Sequence, residues 1–220
     1  MLKYPCLVLD HDDTVVQSEA TVHYPCFEEF LKIYRPGTVY TLAEYVRDCG
    51  IMSFVDLCRV RFDMTEAELQ EEYRFWKNYV QNHIPLPFSG IKDLLESYRE
   101  AGGKICVVSM SSEETILRDY RVHFGFEPEL IFGCDLPEEY RKPNTWPLKE
   151  IMRQFDFSPD QLLVVDDMTL AIPMARNTCC PMAFAAWGRL DYPAVCAEME
   201  RSCDYVFRSP EELKQFLLEE

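Results

Sequence analysis

The chain has 220 residues, which is long enough for one sizeable domain or for a domain with a smaller insert. Its 38 acidic and 22 basic residues give a formal net charge of -16. Such an excess of negative charge argues against a nucleic acid or an anionic membrane as a partner.

The ten cysteines form no CxxC pair and no Cys/His spacing typical of a metal site. Cys6 and Cys106 lie inside apolar, strand-like runs, where a thiol behaves as a small hydrophobe. The N-terminal segment MLKYPCLVLD lacks the regions of a signal peptide, and no apolar run is long enough for a membrane-spanning helix. We therefore expect a cytoplasmic protein with reduced thiols.

In chain order, short apolar runs followed by polar or small residues predict β-strands at 5–10, 104–109, 130–132, 161–166, 181–186 and 204–207. Helical periodicity at 91–100, ended by Gly102 and Gly103, predicts a helix before the second strand. Ser209, Pro210 and Glu212 predict the start of a C-terminal helix. Strands that alternate with helices indicate an α/β fold with a Rossmann-like, mostly parallel sheet.

The segment between the first and second strands is much longer than one crossover helix requires. It has helical patterns at 27–34, 41–49 and 54–61, and Thr65 with Glu68 forms a capping box for a further helix. We therefore predict an inserted helical subdomain at 17–87, with an α/β core formed by 1–16 and 88–220.

Polar residues follow several of the predicted strands. Asp10 and Asp12 end the first strand, and two carboxylates at this spacing suit a hard divalent cation together with a catalytic acid. The acid pair Asp166 and Asp167 ends the fourth strand. Because ligands collect at the carboxyl ends of parallel strands, we expect these acids to share one site.

Two further segments supply hydrogen-bond donors for an anion. Ser109 ends the second strand, and Ser111 with Glu114 predicts a capping box for the next helix, whose first turn can bind phosphate. Lys142 lies in a polar loop before the fourth strand. Acids for a cation and donors for phosphate oxygens together favour phosphoryl chemistry.

In their order along the chain, these motifs resemble the haloacid dehalogenase superfamily of phosphohydrolases. The first motif of that family, D-x-D-x-T after an apolar run, matches Asp10-His11-Asp12-Asp13-Thr14. Ser109, Lys142-Pro143 and Asp166-Asp167 match the second, third and fourth motifs. The segment 203–217, CDYVFRSPEELKQFL, also resembles the end of phosphoglycolate-phosphatase-like members.

The resemblance implies that Asp10 is the nucleophile and forms an aspartyl-phosphate. Asp12 would protonate the leaving oxygen and then deprotonate the hydrolytic water. The phosphate-binding residues that it implies are Ser109, Met110 and Lys142. The Mg²⁺ ligands that it implies are Asp10, Asp167 and the main-chain carbonyl of Asp12, with Asp166 either a further direct ligand or a partner of the ligands. The insert at 17–87 would be the cap that selects a small phosphorylated metabolite.

Position 12 narrows the expected chemistry, because an aspartate there is found in the phosphatase and phosphomutase members of the family. Asp13 departs from the pattern, since relatives usually have glycine, which adopts positive φ at little cost. His23 lies near a histidine of sugar-phosphate mutases, but the spacing from Ser18 and Glu19 is one residue longer than in those relatives.

We therefore predict a Mg²⁺-dependent phosphatase of small phosphomonoesters. A phosphomutase of sugar phosphates, which uses the same site, is the alternative. Two less favoured alternatives are a non-catalytic protein and a receiver-like protein with a phosphorylated aspartate. A receiver has about 120 residues and no use for a second acid pair. The sequence leaves the particular substrate and the oligomeric state open.

Overall fold

The computed structural model describes residues 2–50, 52–190 and 192–218. Met1, Ile51, Asp191, Glu219 and Glu220 fall within the predicted domain ranges but lie outside the described residues.

A parallel sheet forms the centre of the fold. Its strands are β1 (Cys6–Leu9), β2 (Lys104–Val108), β3 (Leu130–Phe132), β4 (Leu162–Asp166), β5 (Met182–Ala185) and β6 (Tyr205–Phe207). All paired strands are parallel, and their order is β3-β2-β1-β4-β5-β6. Each agrees within one residue at either end with a run that the sequence predicts, so the predicted α/β fold is confirmed.

Helices connect the strands, and several of them fill the long segment between β1 and β2. In chain order they are α1 (Tyr24–Tyr34), α2 (Leu42–Cys49), α3 (Phe54–Phe62), α4 (Glu66–Asn82), α5 (Ile91–Glu100), α6 (Glu113–Phe124), α7 (Trp146–Phe155), α8 (Ile172–Thr178), α9 (Pro193–Ser202) and α10 (Pro210–Leu218). Among the described helices, none is both long and apolar enough to cross a membrane.

Both faces of the sheet are buried, because successive strand residues point to opposite sides. On β1, Leu7 and Leu9 belong to one apolar core with residues of α5, α6 and α10. Cys6 and Val8 belong to a second core with residues of α7, α8 and α9. Each fully buried aliphatic side chain contributes about 1.5–3 kcal/mol, so the two cores hold the strand ends in fixed positions.

The chain divides into two compact units, Met1–Gln17 with Leu86–Glu220, and Ser18–Pro85. The second unit contains α1 to α4. The capping box predicted at Thr65 is present: its hydroxyl accepts a hydrogen bond from the Glu68 amide, and the Glu68 carboxylate accepts one from the Thr65 amide at 2.8 Å. A second capping box, formed by Thr41 and Glu44, begins α2.

The segments of the first unit that flank the insert lie side by side. The amide of Gln17 donates to the carbonyl of Leu86 at 2.9 Å, and the amide of Phe88 donates to the carbonyl of Val15 at 3.1 Å. The side-chain amide of Gln17 also donates to the carbonyl of Pro87. An antiparallel contact between Val16 and Pro87 completes this pairing.

Candidate active site

The candidate site lies at the carboxyl ends of three adjacent strands. β1 is paired with β2 on one side and with β4 on the other, so the residues that follow these strands are neighbours. Asp10 follows β1, Ser109 follows β2, and Asp166 ends β4. All three are buried, and the amide of Asp10 donates to the carbonyl of Val165 at 2.9 Å.

Lys142 joins two of the acids. Its ammonium lies 2.7 Å from Oδ1 of Asp10 and 2.9 Å from Oδ2 of Asp166, and all three side chains are buried. Burial by itself lowers the pKa of Lys142, but the charges of Asp10 and Asp166 raise it above its ordinary value. Burial raises the pKa of Asp166, and the charge of Lys142 opposes part of that rise. Lys142 is therefore a fixed positive charge between two carboxylates.

Asp12 has different partners from Asp10. Oδ2 of Asp12 accepts a hydrogen bond from the hydroxyl of Ser111 at 2.5 Å and a longer one from Ser109 at 3.5 Å. The short bond holds the Asp12 carboxyl in one orientation. The two acids of the first motif are thus held by different groups, a lysine for one and hydroxyls for the other.

The predicted capping box of Ser111 and Glu114 is wrong. α6 begins one residue later than that prediction requires, because the hydroxyl of Ser112 accepts the amide hydrogen of Thr115. Ser111 is buried beside the acidic loop, residues 10–14, and its hydroxyl contacts Asp12 instead. The next hydroxyl along the chain caps the helix equally well, since serine is a favoured N-cap residue.

His11 holds the acidic loop in place through a buried contact with α6. Its Nε2 lies 3.1 Å from Oδ2 of Asp119 on α6, and both residues are fully buried. The guanidinium of Arg118 also donates to Asp119, at 2.7 Å. His11 therefore anchors the loop between the two acids of the first motif, which matches its placement between them in the sequence.

Asp167 is held by an arginine that the sequence analysis did not single out. Nε of Arg189 donates to Oδ2 of Asp167 at 2.6 Å, and the hydroxyl of Thr14 donates to Oδ1 at 3.3 Å. The Arg189 guanidinium also lies 3.2 Å from Oδ2 of Asp13. The unexpected aspartate at position 13 was the only sequence signal for Arg189, since a buried extra acid requires a cationic partner.

The carboxylates of Asp10, Asp166 and Asp167 fit a divalent cation. One oxygen of each lies within 4.8 Å of those of the other two, and all three residues are buried. An all-oxygen, anionic set of donors suits a hard cation such as Mg²⁺, and a cation offsets the repulsion among buried like charges. Metal binding by the main-chain carbonyl of Asp12 stays a prediction. Phosphate binding by Met110, which is 42% exposed, also stays a prediction.

A sequence model described as haloacid dehalogenase-like hydrolase matches residues 7–185. The chain belongs to this family. The matched range includes the three carboxylates, the serines that follow β2, and Lys142. No curated protein matches the chain at the level of sequence.

Solved structures of the haloacid dehalogenase-like fold superpose on almost the whole chain. A protein from Bacteroides fragilis, described as a haloacid dehalogenase-like hydrolase, has 18% identity and a TM-score of 0.81, over 96% of this chain and 100% of that one. A protein from Haemophilus somnus, named a predicted phosphoglycolate phosphatase, has 18% identity and a TM-score of 0.77, over 98% and 99% of the two chains. At such identities the likeness establishes the fold alone.

A third similar structure was solved with a sugar bisphosphate. It is a CbbY variant from Rhodobacter sphaeroides in complex with xylulose-(1,5)bisphosphate. Its identity to this chain is 18% and its TM-score is 0.73, over 97% of this chain and 96% of that one.

Proposed function

We propose that the protein is a Mg²⁺-dependent phosphatase of small phosphomonoesters, which acts through an aspartyl-phosphate on Asp10. The observation that supports it best is the pairing of Lys142 with both Asp10 and Asp166, next to Asp167. The carboxylate that would attack phosphorus is held by a fixed positive charge. This arrangement suits an attack on an anionic phosphate, which a bare carboxylate would repel.

In the first step, an oxygen of Asp10 forms a bond to phosphorus while the bond from phosphorus to the ester oxygen breaks. The leaving oxygen takes a proton from Asp12. Asp12 suits this role because its carboxyl accepts hydrogen bonds from neutral hydroxyls, whereas a lysine contacts Asp10. A carboxyl among neutral donors exchanges a proton more readily than one bound to a cation, which stabilises the charged form.

In the second step, Asp12 accepts a proton from water as the water oxygen attacks phosphorus. The bond between phosphorus and Asp10 breaks, which restores the Asp10 carboxylate and releases inorganic phosphate. Asp12 is then protonated again, as the next cycle requires. One residue therefore serves as acid and then as base at the same position.

The transferring phosphoryl group would be bound by the ammonium of Lys142, the hydroxyl of Ser109 and the main chain at Met110. Lys142 is buried, so its charge acts at low dielectric constant, where it stabilises developing negative charge more strongly than in water. The Ser109 hydroxyl already contacts the amide of Ser111 at 3.2 Å, which fixes its position.

Asp10, Asp166 and Asp167 would hold the Mg²⁺, together with the carbonyl of Asp12. The ion supplies positive charge that neutralises the phosphate and offsets the repulsion between the phosphate and the attacking carboxylate. Lys142 contacts one oxygen of Asp10 and one of Asp166, and Arg189 contacts one oxygen of Asp167.

The names of the similar structures support a small phosphorylated metabolite as the substrate, since they include a predicted phosphoglycolate phosphatase and a complex with a sugar bisphosphate. We propose that residues 17–87 form a cap that selects among such substrates. Its place in the chain supports this role, because the insert directly follows the loop that carries Asp10 and Asp12.

A panel of phosphomonoesters tests the proposal. We expect the wild-type protein with Mg²⁺ to release inorganic phosphate in proportion to the substrate consumed, and Asp10→Asn to release none. Asp160→Asn, an exposed aspartate outside the site, is the matched control and should keep full activity. Equal rates for Asp10→Asn and wild type would remove Asp10 as the nucleophile. Conversion of a hexose phosphate to its isomer without phosphate release would instead establish the phosphomutase.

A further inference from the structure

Asp13 stands where the family resemblance leads us to expect glycine, and its backbone keeps the conformation that glycine favours. Its φ is 51°, in the left-handed region, where aspartate is one of the better tolerated alternatives to glycine. The residue is 7% exposed, so its carboxylate is nearly buried. A buried charge in a strained position requires a compensating interaction.

Arg189 provides that interaction. Its guanidinium lies 3.2 Å from Oδ2 of Asp13, and its Nε donates to Oδ2 of Asp167 at 2.6 Å. Arg189 is only 3% exposed. Arg189 therefore contacts both Asp13, the residue that departs from the family pattern, and Asp167, a proposed metal ligand.

The backbone brings Arg189 to this place. A short turn, Ala186–Gly188, follows β5 and contacts the loop at 10–14. The indole nitrogen of Trp187 donates to the carbonyl of Thr14 at 2.9 Å. A methyl group added at Gly188 would lie 2.0 Å from the carbonyl oxygen of Asp13, so only glycine permits this approach.

We propose that Arg189 is a positioning residue of the metal site and that Asp13 is its counter-ion, the pair together setting the affinity for Mg²⁺. This inference rests on the proposed function, in which Asp167 is a metal ligand. Arg189 holds one oxygen of Asp167, but its positive charge also repels a cation beside it. Asp13 cancels that repulsion.

Charge balance shows why the two residues belong together. Ion pairs link four buried carboxylates and two buried cations at or beside the proposed metal site. The carboxylates are those of Asp10, Asp166 and Asp167, which could hold the metal, and of Asp13, which contacts Arg189; the cations are Lys142 and Arg189. The acid-base residue Asp12 is counted separately. Without Asp12, the group carries two negative charges, which one divalent cation balances. Removing Asp13 and Arg189 together leaves this balance unchanged, whereas removing either one alone disturbs it.

The single substitutions should therefore change Mg²⁺ binding in opposite directions. Asp13→Asn removes one of the two carboxylates that Arg189 contacts, so more of the positive charge of Arg189 acts on the metal site. It should weaken Mg²⁺ binding about tenfold, because a nearby unit charge acts strongly at low dielectric constant. Arg189→Met removes a positive charge beside Asp13 and Asp167 and should tighten Mg²⁺ binding about tenfold. The double variant should bind within about threefold of wild type, since the two effects cancel.

Titration calorimetry with Mg²⁺ alone, on the purified full-length protein without substrate, measures these affinities. Arg61→Met is the matched control: Arg61 pairs with the buried Asp48 in the insert, at 2.8 and 2.9 Å, and its loss should lower stability without changing Mg²⁺ affinity. Arg189→Lys keeps the charge and should bind Mg²⁺ like wild type. If Arg189→Met does not fold, Asp13→Asn and Arg189→Lys still decide the matter.

Shifts of the same sign in both single variants, or no shift in either, would overturn the inference while leaving the phosphatase proposal intact. A wild-type protein that hydrolyses phosphomonoesters but binds no Mg²⁺ would overturn the metal site and this inference together. Binding of Mg²⁺ with the expected opposite shifts, but without turnover of any phosphomonoester, would support the inference and contradict the proposed activity.

Discussion

Glu72 is a carboxyl buried within the helical insert, and its replacement by glutamine should stabilise the protein at neutral and higher pH. The residue lies on α4 and is 6% exposed. Together with burial, which is the larger cause, the charge of Glu72 raises the pKa of three groups on other helices. They are the thiols of Cys26 in α1 and Cys58 in α3 and the phenol of Tyr45 in α2. Glu72 is therefore close enough to α1, α2 and α3 for its charge to affect groups on each of them.

The size of the effect follows from the pKa. Burial raises the pKa of Glu72 from 4.5 to about 7, and the nearby charge of His23 opposes only part of that rise. Each pKa unit corresponds to about 1.4 kcal/mol, so ionised Glu72 lowers the free energy of unfolding by about 3 kcal/mol. The folded state binds this proton more tightly than the unfolded state. The full stability is thus present below pH 4.5 and is lost as the pH rises to about 7.

Urea unfolding of wild type and Glu72→Gln at about pH 5 and about pH 8 tests this sign. Hydrogen exchange of the α4 amides reports on the insert itself. Glu71→Gln, the neighbouring and more exposed glutamate, is the control and should not remove the pH dependence. A Glu72→Gln variant that is no more stable than wild type at about pH 8 would refute the reasoning, because it would mean that the buried carboxylate costs nothing.

Lys142→Met should abolish turnover and lower the free energy of unfolding of the metal-free protein by about 3–5 kcal/mol, because two buried carboxylates lose their cation. Chemical denaturation measures this loss of stability. Ser111→Ala should lower kcat about tenfold with little change in KM, because Asp12 loses its short hydrogen bond; an unchanged kcat would contradict the role given to this serine. Gly188→Ala should lower stability by about 2 kcal/mol through its contact with the carbonyl of Asp13, and thermal unfolding would show an unchanged midpoint if the turn could move away. Chelation with EDTA should stop phosphate release, and added Mg²⁺ should restore it; turnover that survives chelation would exclude the proposed cofactor.

Much of the fold was predictable because apolar runs and turn residues are local signals. The strands, the insert between β1 and β2, and the Thr65 capping box all follow from residues close together in the sequence. The order of the strands did not follow, because parallel pairing joins segments far apart in the chain and leaves no local pattern.

The same distinction applies to the site. Asp10, Asp166 and Lys142 were predictable because all three belong to family motifs; the two acids lie at strand ends, and Lys142 lies in the loop before α7. Arg189 was not, because it reaches Asp167 through a turn after β5 that carries no metal-site motif. Ser111 was assigned to the wrong role for a related reason: a hydroxyl beside a helix start can cap the helix or contact another loop, and only tertiary packing decides between them.

The paired segments at 15–17 and 86–88 have a consequence for the evolution of the protein. Because backbone hydrogen bonds already join these segments, the chain leaves and re-enters the sheet unit at one point. A module that begins and ends at one point can be lengthened, shortened or exchanged without altering the register of any strand. On the proposed role of the insert as a cap, recombination of the insert as a whole would change substrate preference and leave the residues of the candidate site unaltered.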